Sequence, residues 1–195
     1  MHAQLATGTI HQQRLPTPNP GRAPGFSTAI SGSQESAPGV VFYRWGRRDP
    51  RPALPPLPGF SAGVTDDARL VAELAQLDLA EVLARMETGH RPYVARIAGV
   101  PVAYGWSATR QASIGEVGLR FAIPVGNRYL WDFATLRAWR GRGVYPQLLQ
   151  AIVAHEAGAE RFWIGHVPAN LASARGIVKA GFRSVGVINR VPGVP

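Results

Sequence analysis

The chain contains no cysteine and only one lysine, Lys179, among its 195 residues. The absence of cysteine excludes disulfides, thiolate metal ligands and a cysteine-linked acyl intermediate. No metal is expected. Long apolar runs are also lacking: none approaches the roughly 18 residues that a membrane span requires. The first twenty residues show neither a basic start with an apolar centre nor a cleavage pattern. The expected location is the cytoplasm, with no membrane association. With lysine so scarce, the formal net charge of +9, from 21 basic and 12 acidic residues, is carried almost wholly by arginine. That balance suits polyanions, although a solvated arginine coat explains it equally well. Nucleic acid is not an expected partner, because no basic stripe with interleaved aromatics is visible. Arg44-Trp45-Gly46-Arg47-Arg48 comes nearest and is short.

What is present fits one globular domain. A hydrophobic fraction of 46% is ordinary for a soluble fold. Residues 1–39 are rich in Pro, Gly, Ser, Thr and Gln without apolar periodicity, and read as a disordered tail. Residues 40–195 read as the single domain. Val40 to Trp45 can form a strand, and the five prolines from Asp49 to Gly59 impose an extended loop. Phe60 to Val64 reads as a strand. Thr65-Asp66-Asp67 then caps a helix toward Leu77, and Leu79 to Glu87 reads as a second helix. Tyr93 to Ile97 and Val100 to Ala108 form a hairpin about Ala98-Gly99. Ile114 to Ile123 and Tyr129 to Thr135 read as further strands. A helix from Pro146 to Ala157 turns Leu148, Leu149, Ile152 and Val153 to the sheet. A strand from Phe162 to Val167, a helix opened by Asn170 and a strand from Arg183 to Arg190 complete a mixed α/β (α+β) pattern.

Two segments carry chemistry. Arg140-Gly141-Arg142-Gly143-Val144-Tyr145 lies between an apolar strand and a helix. Glycines there let the backbone approach an anion, and the free N–H groups of the helix's first turn point at it. The six residues alone are equally consistent with a plain strand-to-helix turn. About thirty residues on, Asn170 to Phe182 reads as a short helix with an Asn cap and a closing Lys179-Ala180-Gly181-Phe182.

Together these segments resemble the GNAT superfamily of N-acetyltransferases, in which an R-x-x-G-x-G/A loop binds the pyrophosphate of acetyl-CoA. The loop matches as Arg140-x-x-Gly143 and departs at Tyr145. The later helix keeps Asn170, Lys179, Gly181 and Phe182, and has Ile177 where many members carry a tyrosine that protonates the leaving thiolate. The resemblance implies a mixed, mostly antiparallel central sheet flanked by helices and splayed at the cofactor site. It implies that Ala134, Thr135, Leu136, Arg140, Gly141, Arg142, Gly143, Val144, Tyr145, Asn170 and Ser173 hold acetyl-CoA, the first three through backbone amides. It also implies transfer of an acetyl group to a primary amine of a small molecule or peptide. The alternative is an acyl-CoA-binding regulatory module on the same fold. Acceptor and oligomeric state, including a homodimer, stay open.

An alkylammonium of pKa about 10.4 must lose a proton before it can attack. Three residues are candidates to take it: Glu116 in the strand before the central one, Asp132 in the central strand alternating with Leu130 and Ala134, and His166 on the face of Phe162 and Ile164. Each also has an ordinary structural explanation. Tyr145, Ser173 or water could serve in place of the tyrosine missing at Ile177.

Overall fold

A computed structural model describes residues 39–189. The tail expected over 1–39 lies outside them except for Gly39, which already opens the first strand. In chain order the elements are β1 (Gly39–Gly46), β2 (Phe60–Val64), α1 (Ala68–Ala75), α2 (Leu79–Glu87), β3 (His90–Ile97), β4 (Val100–Ala108), β5 (Gln111–Ile114) and β6 (Leu119–Ala122). They continue with β7 (Asn127–Thr135), α3 (Val144–His155), β8 (Arg161–His166), α4 (Leu171–Lys179) and β9 (Arg183–Asn189). The main sheet has the order β2-β3-β4-β7-β8-β1-β9. Every pair in it is antiparallel except β7 with β8. Strand β1, the first among the described residues, is thus an interior strand near the far edge. Its alternating residues explain this: Val40 and Phe42 pack on one face, Tyr43 and Trp45 on the other, so both faces must be covered.

The expected strand from Ile114 to Ile123 is not there. Gly115 to Val117 forms a 3-10 turn, and Gly118 takes a left-handed φ of 66°. The segment folds as a separate β5–β6 hairpin whose apolar side covers Phe42 and Tyr129. Helix α3 begins at Val144, two residues before Pro146, which is tolerated in the first turn because it needs no N–H there. On its outer side Gln147 and Gln150 donate to the carbonyls of Pro55 and Pro52. These bonds fasten the proline-rich loop along α3.

One face of the sheet carries α3 and α4, with Leu148, Leu149, Ile152 and Ile177 packed on Leu130, Phe162 and Ile164. The opposite face carries α1 and α2, with Val71 and Val82 on Val94, Tyr104 and Trp106.

Candidate active site

Strands β7 and β8 stay paired only from Asn127–Arg161 to Leu130–Ile164. Beyond that point each keeps its other neighbour: β7 follows β4 to Thr135 and β8 follows β1 to His166. The two strands therefore part, and a cleft of about 690 Å³ opens through the sheet. Glu116, Trp131, Asp132, Ala134, Thr135, Tyr145, His166, Asn170 and Ser173 all line it, as do Arg140, Gly141 and Gly143.

At one end lies the glycine loop. Gly141 and Gly143 have φ of 75° and 85°, values that only glycine reaches cheaply. Gly143 stands at the N-cap of α3 and offers no side chain to its first turn, so the leading amides of the helix have no internal acceptor. Arg142 stacks its guanidinium 5.0 Å from the Trp139 ring centroid. Arg140 donates from Nε to the Thr135 carbonyl at 3.0 Å, and the rest of its guanidinium has no partner among the described residues. Arg175 and Lys179, one turn apart on α4, also line this end. Neither was assigned to the cofactor from sequence, although their spacing of four on a helix places both on one side. A helix N-terminus with four nearby cations suits a polyphosphate.

The three backbone amides expected to meet the pantetheine are not equivalent. Leu136 N–H donates to the Val102 carbonyl at 2.8 Å and is unavailable. Antiparallel pairs alternate between bonded and open residues, so Ala134, opposite Tyr104, also turns toward β4. Thr135 is the residue whose amide faces the gap, and the direction of its carbonyl toward Arg140 agrees.

Asp132 departs from the expected alternation. The register of β4 with β7 slips between Tyr104–Ala134 and Trp106–Trp131, so Asp132 and Phe133 together oppose Gly105. This is a β-bulge, with Asp132 at φ 49°. The bulge takes Asp132 off the face of Leu130 and sets it beside Trp131 and Ala134, on the α1–α2 side. There Arg85 of α2 reaches one carboxylate oxygen at 2.6 Å, and the Tyr104 hydroxyl donates to the other at 3.3 Å. The Arg85 guanidinium also pairs with Glu81 and lies 4.7 Å and 5.3 Å from the ring centroids of Trp131 and Trp106. Trp131 donates its indole N–H to Nδ1 of His90. Burial, then the Arg85 charge, pulls the His90 pKa below the ordinary histidine value. Arg85 and His90 were not singled out from sequence. The Glu81–Arg85 spacing was visible, but the contact to Asp132, 47 positions away, was not.

His166 is buried with both ring nitrogens engaged. Nδ1 lies 2.7 Å from the Val167 carbonyl, which can only accept, so Nδ1 carries the proton. Nε2 then accepts from the Tyr43 hydroxyl at 3.2 Å. Glu116 sits in the 3-10 turn, not in a strand, and is exposed, with no hydrogen-bond or ion-pair partner among the described residues. Asn170 caps α4 by accepting from Ser173 N–H at 3.0 Å. Ile177 is fully buried in the core. Tyr145 crosses from α3 to lie on Gly176, where a Cβ would run into its ring, and its hydroxyl is 3.3 Å from Ser173 Oγ. Burial pushes the Tyr145 pKa up to about 12, against a smaller lowering by the Ser173 hydrogen bond, so the phenol stays protonated.

A parted sheet with a glycine-opened helix start at its mouth is an arrangement that suits a phosphorylated carrier in extended form. The family model for acetyltransferases of the GNAT family matches residues 62–182, and the chain belongs to that family. Solved structures agree in fold. A GNAT-family acetyltransferase from Novosphingobium aromaticivorans is 18% identical with a TM-score of 0.54, over 77% of this chain and 61% of that one. A GCN5-related N-acetyltransferase from Sphaerobacter thermophilus is 16% identical with a TM-score of 0.56, over 82% and 54%. AAC(6')-Ib in complex with ribostamycin and coenzyme A is 19% identical with a TM-score of 0.53, over 68% and 94%. The chain thus spans little more than half the length of the first two. No curated protein matches it.

Proposed function

We propose that this chain transfers an acetyl group from acetyl-CoA to a primary amine. The observation that carries the reading is the pairing of the Gly141–Gly143 loop with a cleft that runs from it through the sheet. Arg140, Arg142, Arg175 and Lys179 would meet the phosphates, and the Thr135 amide the pantetheine. The thioester then lies at the bulge, with the acceptor entering from the α1–α2 face.

Chemistry follows from what is free and what is committed. The Asp132 oxygens and the His166 nitrogens already have partners, so neither is poised to take a proton directly. We assign attack to the free-base fraction of the amine. Its nitrogen forms the amide bond, the carbon–sulfur bond breaks with its electron pair going to sulfur, and the proton lost from nitrogen completes the thiol. Tyr145, held protonated beside Ser173, would donate a hydrogen bond to the departing sulfur. Full transfer from a phenol of pKa about 12 to a thiolate whose thiol is near 8.5 is uphill, so the contribution is a hydrogen bond.

The test is release of CoA thiol from acetyl-CoA on adding amines. The chain has no cysteine, so a thiol reagent reads CoA alone. The buried Ile177 at the tyrosine position favours the other reading, a binding module that does not transfer. Turnover with any amine rejects it, and acetyl-CoA binding without turnover supports it.

A further inference from the structure

Two glycines stand inside regular elements where the backbone does not call for them. Gly105 lies within β4 and Gly176 within α4, and neither has a positive φ, unlike Gly141 and Gly143. Glycine inside a strand or helix weakens the element, so each needs another reason. The reason is an aromatic ring. A Cβ on Gly105 would run into Phe133 of β7, and one on Gly176 would run into Tyr145 of α3. The two rings meet each other, with centroids 5.4 Å apart.

Phe133 and Tyr145 thus make a wall that runs from β4 to α4 on the α3–α4 side of the parted strands. Both are half-buried and both line the cleft, as does the buried Ile164 of β8 in the same apolar cluster. The wall has nowhere to retreat. Phe133 has Gly105 behind it, Tyr145 has Gly176, and the Tyr145 hydroxyl is held 3.3 Å from Ser173 Oγ. Extra methylenes pressed against such a wall must shift side chains or backbone, which is costly in a packed interior.

Resting on the transfer reading above, we propose that the Tyr145 ring, backed by Phe133, sets the length of acyl group that the cleft accepts and selects against chains longer than acetyl. Phe133 is one of the two bulge residues opposite Gly105, so a thioester at the bulge has it as a neighbour. The sulfur of that thioester comes from the glycine-loop end and the acceptor from the α1–α2 face. The acyl substituent is left the side that the two rings close. An acetyl group puts one methyl there, whereas a butyryl group brings two further carbons against the rings. The ring acts here, and the hydroxyl that faces the departing sulfur is a separate part of the same side chain.

The experiment has two arms on the full chain. In the first, acetyl-CoA and butyryl-CoA are titrated calorimetrically into the protein. In the second, both are assayed for thiol release with pentylamine as the acceptor. The expected result for the wild type is a preference for acetyl-CoA of at least about tenfold in affinity and in kcat/KM, the discrimination that added methylenes bring in a closed pocket. Tyr145→Ala should bring that ratio to within about threefold, whereas Tyr145→Phe, which keeps the ring, should leave the ratio as it is while lowering kcat with both donors. Where Tyr145→Ala does not fold, Phe133→Leu takes its place and should lower the ratio at least about threefold. Equal acceptance of the two donors by the wild type, an unchanged ratio in the folded Tyr145→Ala or Phe133→Leu variant, or a ratio lost in Tyr145→Phe overturns the proposal. The two readings fail separately. Acetyl-selective binding without thiol release keeps the wall and removes the transfer, whereas thiol release from both donors at like rates keeps the transfer and removes the wall. Binding of neither thioester removes both.

Discussion

Asp132 holds a left-handed φ of 49° in the middle of a strand, a conformation that costs an aspartate of order 1 kcal/mol. The Arg85 ion pair and the Tyr104 hydroxyl offset that cost and fix the bulge from the α2 side. Asp132 is thus read as a positioning residue. Replacing Arg85 with alanine is expected to lower thermal stability by about 1 to 3 kcal/mol, since it strands a partly buried carboxylate. It should also reduce kcat about tenfold or more while acetyl-CoA affinity, measured by calorimetry, changes little. A matching loss of both would place Arg85 in general packing. Tyr145→Phe keeps the ring on Gly176 and removes the hydroxyl. The expected cost is about 1 kcal/mol of stability for the lost bond to Ser173, with a fall in kcat at unchanged KM for acetyl-CoA. Sequence pattern could not show Asp132 in its true place. A bulge shifts the parity of everything beyond it, and alternation counted from Leu130 gives the wrong face. The glycine turn into α3 was legible because its requirement is local: two positive-φ glycines immediately before a helix.

At the level of elements, the helices and most strands follow from apolar spacing, caps and turns that lie within a few residues of one another. Two features do not. The segment from Ile114 to Ile123 has enough apolar residues for one strand, yet Gly115 and Gly118 allow it to fold back as the turn that brings Glu116 to the cleft. Strand β1 is legible as a strand but not in its place, because its partners β8 and β9 come from the far end of the chain. Its position has a consequence. Tyr43 on β1 holds Nε2 of His166, and Trp45 packs edge-on to Phe162. A chain shortened to begin after Gly46 should therefore lose soluble expression and acetyl-CoA binding together. Retention of both, seen by gel filtration and titration, would show that β8 and β9 can close without it.

For the whole molecule, proton balance sets two expectations. Tyr93, Tyr104, Tyr129 and Tyr145 all have pKa values raised, burial being the largest cause in each. A raised folded pKa means that the contribution is complete below the unfolded value of about 10 and is lost as pH rises toward the folded value. Stability should therefore fall steadily above pH 10, with phenolate absorbance and loss of helical circular dichroism appearing together. Early phenolate absorbance without unfolding would mean that these hydroxyls are more solvated than the fold implies. If the amine reacts as its free base with no side chain taking its proton directly, log kcat/KM should rise with a slope near one per pH unit from about 7 to 9. A pH-independent plateau within that range would instead show that a side chain takes the proton.

The most direct test of the central claim is calorimetric titration with acetyl-CoA of the wild type beside an Arg142→Glu, Gly143→Asp double variant, each checked for folding by circular dichroism. Micromolar binding by the wild type and at least 100-fold weaker binding by the folded variant is the predicted result, because the variant sets two negative charges and a strained Cβ where the phosphates would lie. Equal binding by both, or none by the wild type, would contradict the assignment of the glycine loop as the phosphate site.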